Sequence, residues 1–446
     1  MRTCFLIGIA ILFGCGQETR LKGDGGSGGP GPGGNNDGFV NNGPSFGAQC
    51  NGTPTTLSGF IKAPNGLDPI SNGFAYVPVS MGTFPPGVSC DLCGAPVDGA
   101  AVSATSGADG GFMLDLSALP PTAQVSFTVN KGRFRRNTMV DITPCADNPI
   151  GAPHTVLPGK PGTGDDLPRI AVSTGVKDQL DVVLNAMGLD QDMGFDCFEN
   201  RTSTSQSLMT PCGMRLGAQG TPPQLTDLLK NPTQLAQYNI LFISCARGKW
   251  KTLSAADQAA IAANLKAWAE QGGRVFATDN AYDYLAQAFP ADAMFMNGDT
   301  TVDAANVGVG SVQMPATYSG KINDPALAAW LTAVSAIPSG ATTIPLAGYL
   351  TQWSVVQSVP TTTVDVVDAT DAQVQSGTMT LTGSYPQTIK FDVTPAGATQ
   401  ACGRAIFSSY HTLDAMTMID ATALTAQERI LEYLMFEAGA CIGPIS

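Results

Sequence analysis

The chain carries one cysteine and one histidine in positions where they could form a nucleophilic pair. Cys245 ends an apolar segment, and His411 follows another. A thiolate can attack a carbonyl carbon when a histidine takes its proton and a carboxylate orients the histidine. Asp279, at the end of a third apolar segment, and Asp414 are the candidate carboxylates. These four side chains are the candidates for a catalytic site.

The segments that must position these side chains alternate between strand and helix over residues 168–445. Apolar runs separated by helical stripes are typical of an α/β doubly wound (flavodoxin-like) parallel sheet. Residues 290–400 interrupt the alternation and are predicted to be an insertion. Because the carboxyl ends of the strands meet at one edge of such a sheet, Cys245, Asp279 and His411 could gather there. The predicted strands include 238–245, 274–279 and 404–409, and the predicted helices include 259–271 and 425–437.

Residues 50–150 are rich in turn signals and β-formers and have no helical period. Short alternating runs separated by glycine-containing turns predict a small antiparallel β-sandwich. A proline- and glycine-rich stretch, residues 151–167, is predicted to be a linker. The sequence thus predicts a multidomain chain with a β-sandwich followed by the α/β sheet and its insertion.

The N-terminus has the pattern of an export signal. Residues 5–13 are almost entirely apolar and too few to span a bilayer as a helix. A small residue and Cys15 follow, and the segment resembles a bacterial lipoprotein signal. The resemblance implies that residues 1–14 are removed and that Cys15 is lipidated, which makes the membrane a partner through this anchor. Residues 15–49 are glycine-rich and predict a flexible tether; a plain secretory signal is the alternative.

Cysteines in an exported chain are expected to form disulfides, because the compartment is oxidising. The chain has eleven cysteines, and setting aside Cys4 and Cys15 leaves nine, so at least one is free or pairs between chains. Because exported thiols are usually paired, Cys245 is expected to be bridged. The other disulfide candidates are Cys50, Cys90, Cys93, Cys145, Cys197, Cys212, Cys402 and Cys441.

Several pairings remain open from the sequence. The four cysteines of residues 50–150 could make two disulfides, and one could join Cys50 to Cys145 at the two ends of the module. Cys197 and Cys212 are expected to close a loop, whereas Cys402 could pair with Cys441 or with Cys245. Cys90 and Cys93 have the spacing of half a zinc site, but no second pair matches it, so no metal is predicted.

The charge of the chain limits its partners. Lys and Arg number 23 against 36 Asp and Glu, which gives a net charge of −13. This charge argues against nucleic acid and against an anionic membrane surface. No Walker or dinucleotide-binding glycine motif is present, so no cofactor is predicted.

The first region resembles the carboxypeptidase regulatory-like family. The matching residues are Ser-Gly-Phe-Ile at 58–61, Pro-Asn-Gly at 64–66, and Asp109-Gly110 before Phe112. Members of this family are mostly non-catalytic β-sandwich modules. Residues 81–96 are an insertion relative to the family pattern.

The second region resembles the class I glutamine amidotransferase-like fold, and more closely the uncharacterised lipoprotein families with a degenerate version of it. The resemblance rests on residues 238–245, 272–277 and 403–411. It implies a nucleophilic cysteine on the turn after the strand at 274–279. Asp279 stands there, and alanines replace the flanking glycines. A carboxylate cannot replace a thiolate as the nucleophile of this reaction. The sequence therefore favours a protein that is not an enzyme.

These observations predict a lipid-anchored protein of the cell envelope, at the outer membrane or the cell surface. Its expected role is non-catalytic binding or scaffolding, with an envelope protein or a polysaccharide as partner. An envelope Cys–His hydrolase that uses Cys245 and His411 is one alternative. A surface carbohydrate or protein adhesion module is another. Adhesion would need an exposed aromatic strip, for which the candidates are Phe60, Phe74, Tyr76 and Phe84.

Overall fold

The computed structural model describes most of the chain after the predicted tether. The described residues are 44–92, 99–175, 178–201, 210–245, 249–295, 309–312, 317–347, 353–376, 379–411 and 424–442. Residues Pro44–Ser446 form one compact unit. It contains several sheets and is mostly β-structure with helices. None of the helices within the described ranges is long and apolar enough to cross a membrane.

The first region forms two small sheets. A three-stranded sheet has the order β4-β1-β7, and a five-stranded sheet has the order β3-β2-β5-β6-β8. Phe112 of the first sheet stacks on Phe127 of the second, with ring centroids 5.6 Å apart, so the two sheets share a core. The elements are α1 (Phe46–Gln49), β1 (Thr56–Phe60), β2 (Phe74–Pro78), β3 (Ala100–Thr105), β4 (Gly111–Asp115), β5 (Gln124–Lys131), β6 (Phe134–Asp141), β7 (Asp147–Pro149), α2 (Ala152–Thr155) and β8 (Asp165–Asp166).

The second region is built on one sheet of eleven strands. Its path runs β10-β9-β11-β12-β21-β20-β19-β14-β17, with β15 beside β19 and β16 beside β15. The first five strands of the path are parallel, and the rest pair antiparallel. The strands are β9 (Ile170–Ser173), β10 (Asp196–Phe198), β11 (Ile240–Ile243), β12 (Arg274–Thr278), β14 (Val309–Val312), β15 (Thr317–Ile322), β16 (Thr343–Ala347), β17 (Trp353–Ser354), β19 (Thr363–Ser376), β20 (Met379–Val393) and β21 (Gly403–Ser408).

The predicted insertion at 290–400 is part of this sheet. Its long hairpin β19–β20 lies against β21, so the insertion extends the parallel strands instead of standing apart from them. A separate two-stranded sheet joins β13 (Met294–Phe295) and β18 (Val356–Ser358).

Helices cover both faces of the parallel strands, which explains why these strands are continuously apolar. Alternate residues such as Val172, Phe242 and Phe276 pack with α3 and α10, whereas Leu241 and Val275 pack with α7 and α8. Ser254 caps α7, since its side chain accepts a hydrogen bond from the backbone N–H of Asp257. The helices are α3 (Leu180–Ala186), α4 (Pro211–Gly217), α5 (Leu225–Lys230), α6 (Pro232–Leu235), α7 (Ala255–Glu270), α8 (Tyr282–Ala288), α9 (Pro325–Ala333) and α10 (Ala426–Gly439).

Helix α10 lies between the two regions, and nearly all of its residues are buried. One side packs on β12 and β21. On the other side, Phe436 meets Phe134 of β6 edge to face, with centroids 5.7 Å apart. Lys131 Nζ lies 2.8 Å from Glu437 Oε1, and Arg429 pairs with Asp68. The first region and the sheet therefore share one hydrophobic core.

The disulfides confirm some of the predicted pairings and correct others. Cys50–Cys145 and Cys197–Cys212 form as expected. Cys90 bonds to Cys402, so it does not pair within the first region. The insertion around Cys90 reaches the sheet, where the Asp91 carbonyl accepts a hydrogen bond from the Ile442 N–H at 2.8 Å. The Cys90–Cys402 bond excludes the Cys402–Cys441 pairing, one of the two that the sequence leaves open for Cys402. Cys441 is itself disulfide-bonded, and Cys93 lies outside the described residues.

Glu432 of α10 is a buried acid at the junction of the two regions. Burial and the charge of Asp68 raise the pKa of this carboxyl to about 8, although the Arg429 guanidinium 2.8 Å away opposes the shift. The folded protein therefore keeps a proton that the unfolded chain releases near the usual value of 4.5. The free energy of unfolding must fall as the pH rises between these two values.

We expect Glu432→Gln to flatten this fall, because glutamine does not titrate. The variant should remove about 3 kcal/mol of the decline in unfolding free energy between about pH 5 and about pH 8. Urea unfolding at both pH values measures the free energy of unfolding, and the difference between the two values gives the decline. Glu270→Gln, at the end of α7, is the control and should retain the wild-type decline. Equal declines in the wild type and Glu432→Gln would contradict the assignment.

Candidate functional site

Three of the candidate catalytic residues meet at the carboxyl edge of the parallel strands. β11, β12 and β21 lie side by side. Cys245 comes two residues after β11, Asp279 comes directly after β12, and His411 comes three residues after β21. All three are buried, with exposed fractions of 1%, 0% and 3%. The fourth candidate, Asp414, lies outside the described residues.

Asp279 is at the centre of this cluster. Its Oδ2 atom lies 3.3 Å from Cys245 Sγ, which donates a hydrogen bond to it, and 2.8 Å from His411 Nε2. The Nε2 atom is within ion-pair distance but is not aligned for a hydrogen bond with the carboxylate. One side-chain donor atom from each of the three residues lies within 4.8 Å of the others.

The backbone at Asp279 makes a sharp turn from strand to helix. Its φ is +37°, a left-handed conformation that residues other than glycine rarely adopt. A short 3-10 turn, Asp279–Ala281, leads directly into α8. Strain of this kind tends to occur at functional sites, and nucleophiles of strand–turn–helix enzymes stand on such turns. Asp279 therefore has the backbone of a nucleophile position and the side chain of a carboxylate.

Other residues that the sequence did not predict hold the cluster in place. Asp178 Oδ2 accepts hydrogen bonds from the Cys245 N–H at 3.3 Å and from the Thr278 hydroxyl. The Ser354 N–H donates to Asp279 Oδ1 at 2.7 Å. The Gln427 side-chain amide donates to the His411 carbonyl at 2.6 Å. Asp178 follows β9 at the same edge, so its position could have been found from the strand pattern; Ser354, in the insertion, gave no such signal.

The electrostatics of the cluster do not favour a thiolate. Burial, and after it the nearby charge of Asp279, raises the pKa of the Cys245 thiol to about 11, although the contact with His411 opposes this. Burial disfavours the charged form of His411, but the carboxylates of Asp279 and Asp178 outweigh it and raise the His411 pKa well above 6.5. At neutral pH the thiol is protonated, and an imidazolium faces the Asp279 carboxylate.

The expectation that Cys245 is bridged is wrong, because it is a free and buried cysteine. The alternative pairing with Cys402 fails for a topological reason. Cys402 comes just before β21 and Cys245 comes after β11, so in a parallel sheet they lie at opposite edges.

Two surface cavities lie away from this cluster. One has a volume of about 570 Å³ and is lined by Phe84, Arg133 and Asn239 among others. Asn239 comes just before β11, so this cavity is at the amino edge of the strands. Another, of about 490 Å³, is lined by Pro64, Arg136 and neighbouring residues.

Comparisons with known proteins do not show a family. No family model and no curated protein matches the chain. Among solved structures, the chain is similar to a GMP synthase subunit protein from Thermoplasma acidophilum. The match has 8% identity and a TM-score of 0.30, and it covers 60% of this chain and 94% of that one. A likeness at this level supports no conclusion about fold or activity.

We expect Cys245 to alkylate slowly in the folded protein. The shift of its pKa from 9.0 to about 11 lowers the thiolate fraction about a hundredfold at neutral pH, and burial slows the reagent further. Peptide mapping after iodoacetamide treatment, without reductant, measures the modified fraction over time. The guanidinium-unfolded protein is the control and should alkylate at the normal rate of a free thiol. Rapid alkylation of the folded protein at neutral pH, or a Cys245 disulfide, would contradict the structure.

Proposed function

We propose that the chain is a lipid-anchored protein of the cell envelope whose folded body binds or scaffolds a partner without catalysis. The observation that carries the proposal is the identity and contact of Asp279. It occupies the strand-to-helix turn where an amidotransferase-like fold would need its cysteine, and its carboxylate faces His411 at 2.8 Å. The histidine that would activate a thiol therefore faces a carboxylate at that turn.

The position of Cys245 also argues against thiol catalysis. The cysteine lies on the neighbouring strand end and not on the turn after β12. It is 1% exposed, and it is not among the lining residues of the cavities of about 570 and 490 Å³. A nucleophile needs a path for its substrate, and the burial of this sulfur atom argues against one.

The junction between the regions supports a scaffolding role. The shared core, the Cys90–Cys402 disulfide and the buried pair Lys131–Glu437 hold the first region against α10. Such a body presents its surfaces in a fixed arrangement, whereas an enzyme that closes on a substrate commonly needs a hinge. The finer assignment, a carboxypeptidase regulatory-like sandwich beside a degenerate amidotransferase-like domain, rests on the sequence resemblances.

The anchor is proposed from the sequence at the N-terminus. A short apolar run ends at Cys15, and a glycine-rich stretch follows it. Lipid on Cys15 would hold the protein at the membrane, and the stretch would let the folded body stand away from the surface. We propose the outer membrane or the cell surface as the location of the protein. The residue after the anchor is Gly16 and not aspartate, as in the resembled lipoproteins that are sorted to the outer membrane. An envelope protein or a polysaccharide is the proposed partner.

The hydrolase remains a second candidate, because Cys245 is free and lies in one cluster with His411. Rapid alkylation of Cys245 in the folded protein would favour it. The adhesion alternative has less support. Of its candidate residues, Phe60 is 53% exposed, whereas Tyr76 is fully buried and Phe84 lies under Arg133 and Arg135.

We expect Cys15→Ser to release the protein from the membrane. The serine variant cannot take lipid at this position, so it should lose incorporation of radiolabelled fatty acid and leave the membrane fraction. The measurement is labelling and fractionation of the full chain in a bacterial host with a lipoprotein pathway. Cys4→Ser is the matched control, since Cys4 would be removed with the signal, and it should label like the wild type.

Two results would overturn the anchor. One is a wild-type chain that takes no label and is recovered in the soluble fraction. The other is a Cys15→Ser variant that labels and fractionates like the wild type, which would place the attachment at another residue.

A further inference from the structure

Three side chains of kinds that bind transition-metal ions converge in the buried cluster. A thiol, a carboxylate and an imidazole from Cys245, Asp279 and His411 place their donor atoms within 4.8 Å of one another. Zinc is bound in proteins by this set of atom types, and mixed sulfur and nitrogen donors favour zinc and similar ions over magnesium or calcium. No metal site is predicted from the sequence, because the recognisable signal is pairs of cysteines at fixed spacing. These three residues come instead from three separate strand ends.

The distances are close to those of a shared coordination sphere. Donors bound tetrahedrally to one zinc ion, at about 2.0–2.3 Å from it, lie about 3.3–3.6 Å apart. Here the sulfur lies 3.3 Å from Asp279 Oδ2, and the imidazole Nε2 lies 2.8 Å from the same oxygen. Small outward movements of the side chains would admit an ion.

A second observation is a group of buried polar atoms without hydrogen-bond partners. Within the part of the chain that the structure describes, His411 Nε2 is such an atom and points into the cluster. The hydroxyls of Ser244, Ser354 and Ser409 are also unsatisfied. Ser244 adjoins Cys245, and the Ser354 backbone binds Asp279. Buried polar atoms are nearly always satisfied, so an unsatisfied His411 Nε2 inside the cluster indicates a missing ligand or ion.

The surroundings also hold the ligands as outer-shell partners do in metal sites. Asp279 has one carboxylate oxygen fixed by the Ser354 N–H, which leaves Oδ2 for the cluster. The His411 backbone is held by Gln427, and Asp178 ties the end of β12 to Cys245. Such partners orient the primary ligands and contribute to affinity.

We infer that Cys245, Asp279 and His411 bind a divalent transition-metal ion of the zinc type at the carboxyl edge of the parallel strands. A thiolate and a carboxylate neutralise the two charges of the ion, and the imidazole binds through Nε2. The Cys245 thiol proton and the proton on His411 Nε2 leave to solvent on binding. Three protein ligands leave one further position for water. The inference goes beyond the proposed envelope role and does not depend on the lipid anchor.

The test uses cobalt as a spectroscopic substitute for zinc. The mature protein with its disulfides intact is refolded with Co²⁺, because a buried site exchanges slowly once folded. We expect about one cobalt per chain and a thiolate-to-cobalt charge-transfer absorption. Cys245→Ser should remove the charge-transfer band, and His411→Asn should weaken binding at least about tenfold. His154→Asn is the matched control, since His154 is the other histidine of the chain and lies on α2.

Metal content of the wild type keeps the inference testable if a variant fails to fold. Less than about a tenth of a cobalt or zinc ion per refolded wild-type chain would overturn it, as would an unchanged spectrum in Cys245→Ser. Zinc should also raise the urea midpoint of the wild type and leave that of His411→Asn unchanged. Failure of metal binding would not affect the fatty-acid labelling of Cys15. Rapid alkylation of a metal-free Cys245 would instead overturn the non-catalytic role.

Discussion

The burial of α10 on both sides is the constraint on which the rest of the structure depends. A helix that lies between a sheet and a second region must satisfy every charge it carries inside the protein, because an unpaired buried charge costs several kcal/mol. Glu437 is paired with Lys131 and Arg429 with Asp68, whereas Glu432, beside Arg429, avoids a buried charge by keeping its proton. Lys131 and Asp68 belong to the first region, so that region cannot leave without exposing these charges. The fixed arrangement of the two regions follows from this helix.

The parallel sheet has the opposite role, since it collects chemistry at one edge. Strands that run in the same direction end together, and whatever follows them is brought into contact. In this chain the result is a protonated thiol, a carboxylate on a strained turn, and an imidazole, all excluded from water. An arrangement of this kind is poor at generating a free thiolate. It is better suited to sharing its protons or to exchanging them for an ion.

Sequence patterns could predict the elements of this site but not its internal contacts. The apolar runs gave the strands that precede Cys245, Asp279 and His411, because continuous burial requires continuous apolar residues. The prediction that Cys245 is disulfide-bonded is wrong, because the number of cysteines does not show at which edge of the sheet each one lies. The strand order, once drawn, would have excluded its pairing with Cys402. Ser354 could not be foreseen at all, because it reaches Asp279 through an insertion whose place in the sheet depends on long-range packing.

The Cys90–Cys402 disulfide has a consequence for how the chain is made. The two cysteines are 312 residues apart, and Cys93, Cys145, Cys197, Cys212 and Cys245 lie between them. If the chain is exported from its N-terminus, Cys90 emerges into an oxidising compartment long before its partner does. Oxidation in order of emergence would join it to an earlier neighbour, so the native bond requires either a delay or a later exchange of disulfides. If the protein is exported, its assembly depends on one of these two, and a disulfide isomerase in the compartment where it folds would supply the exchange.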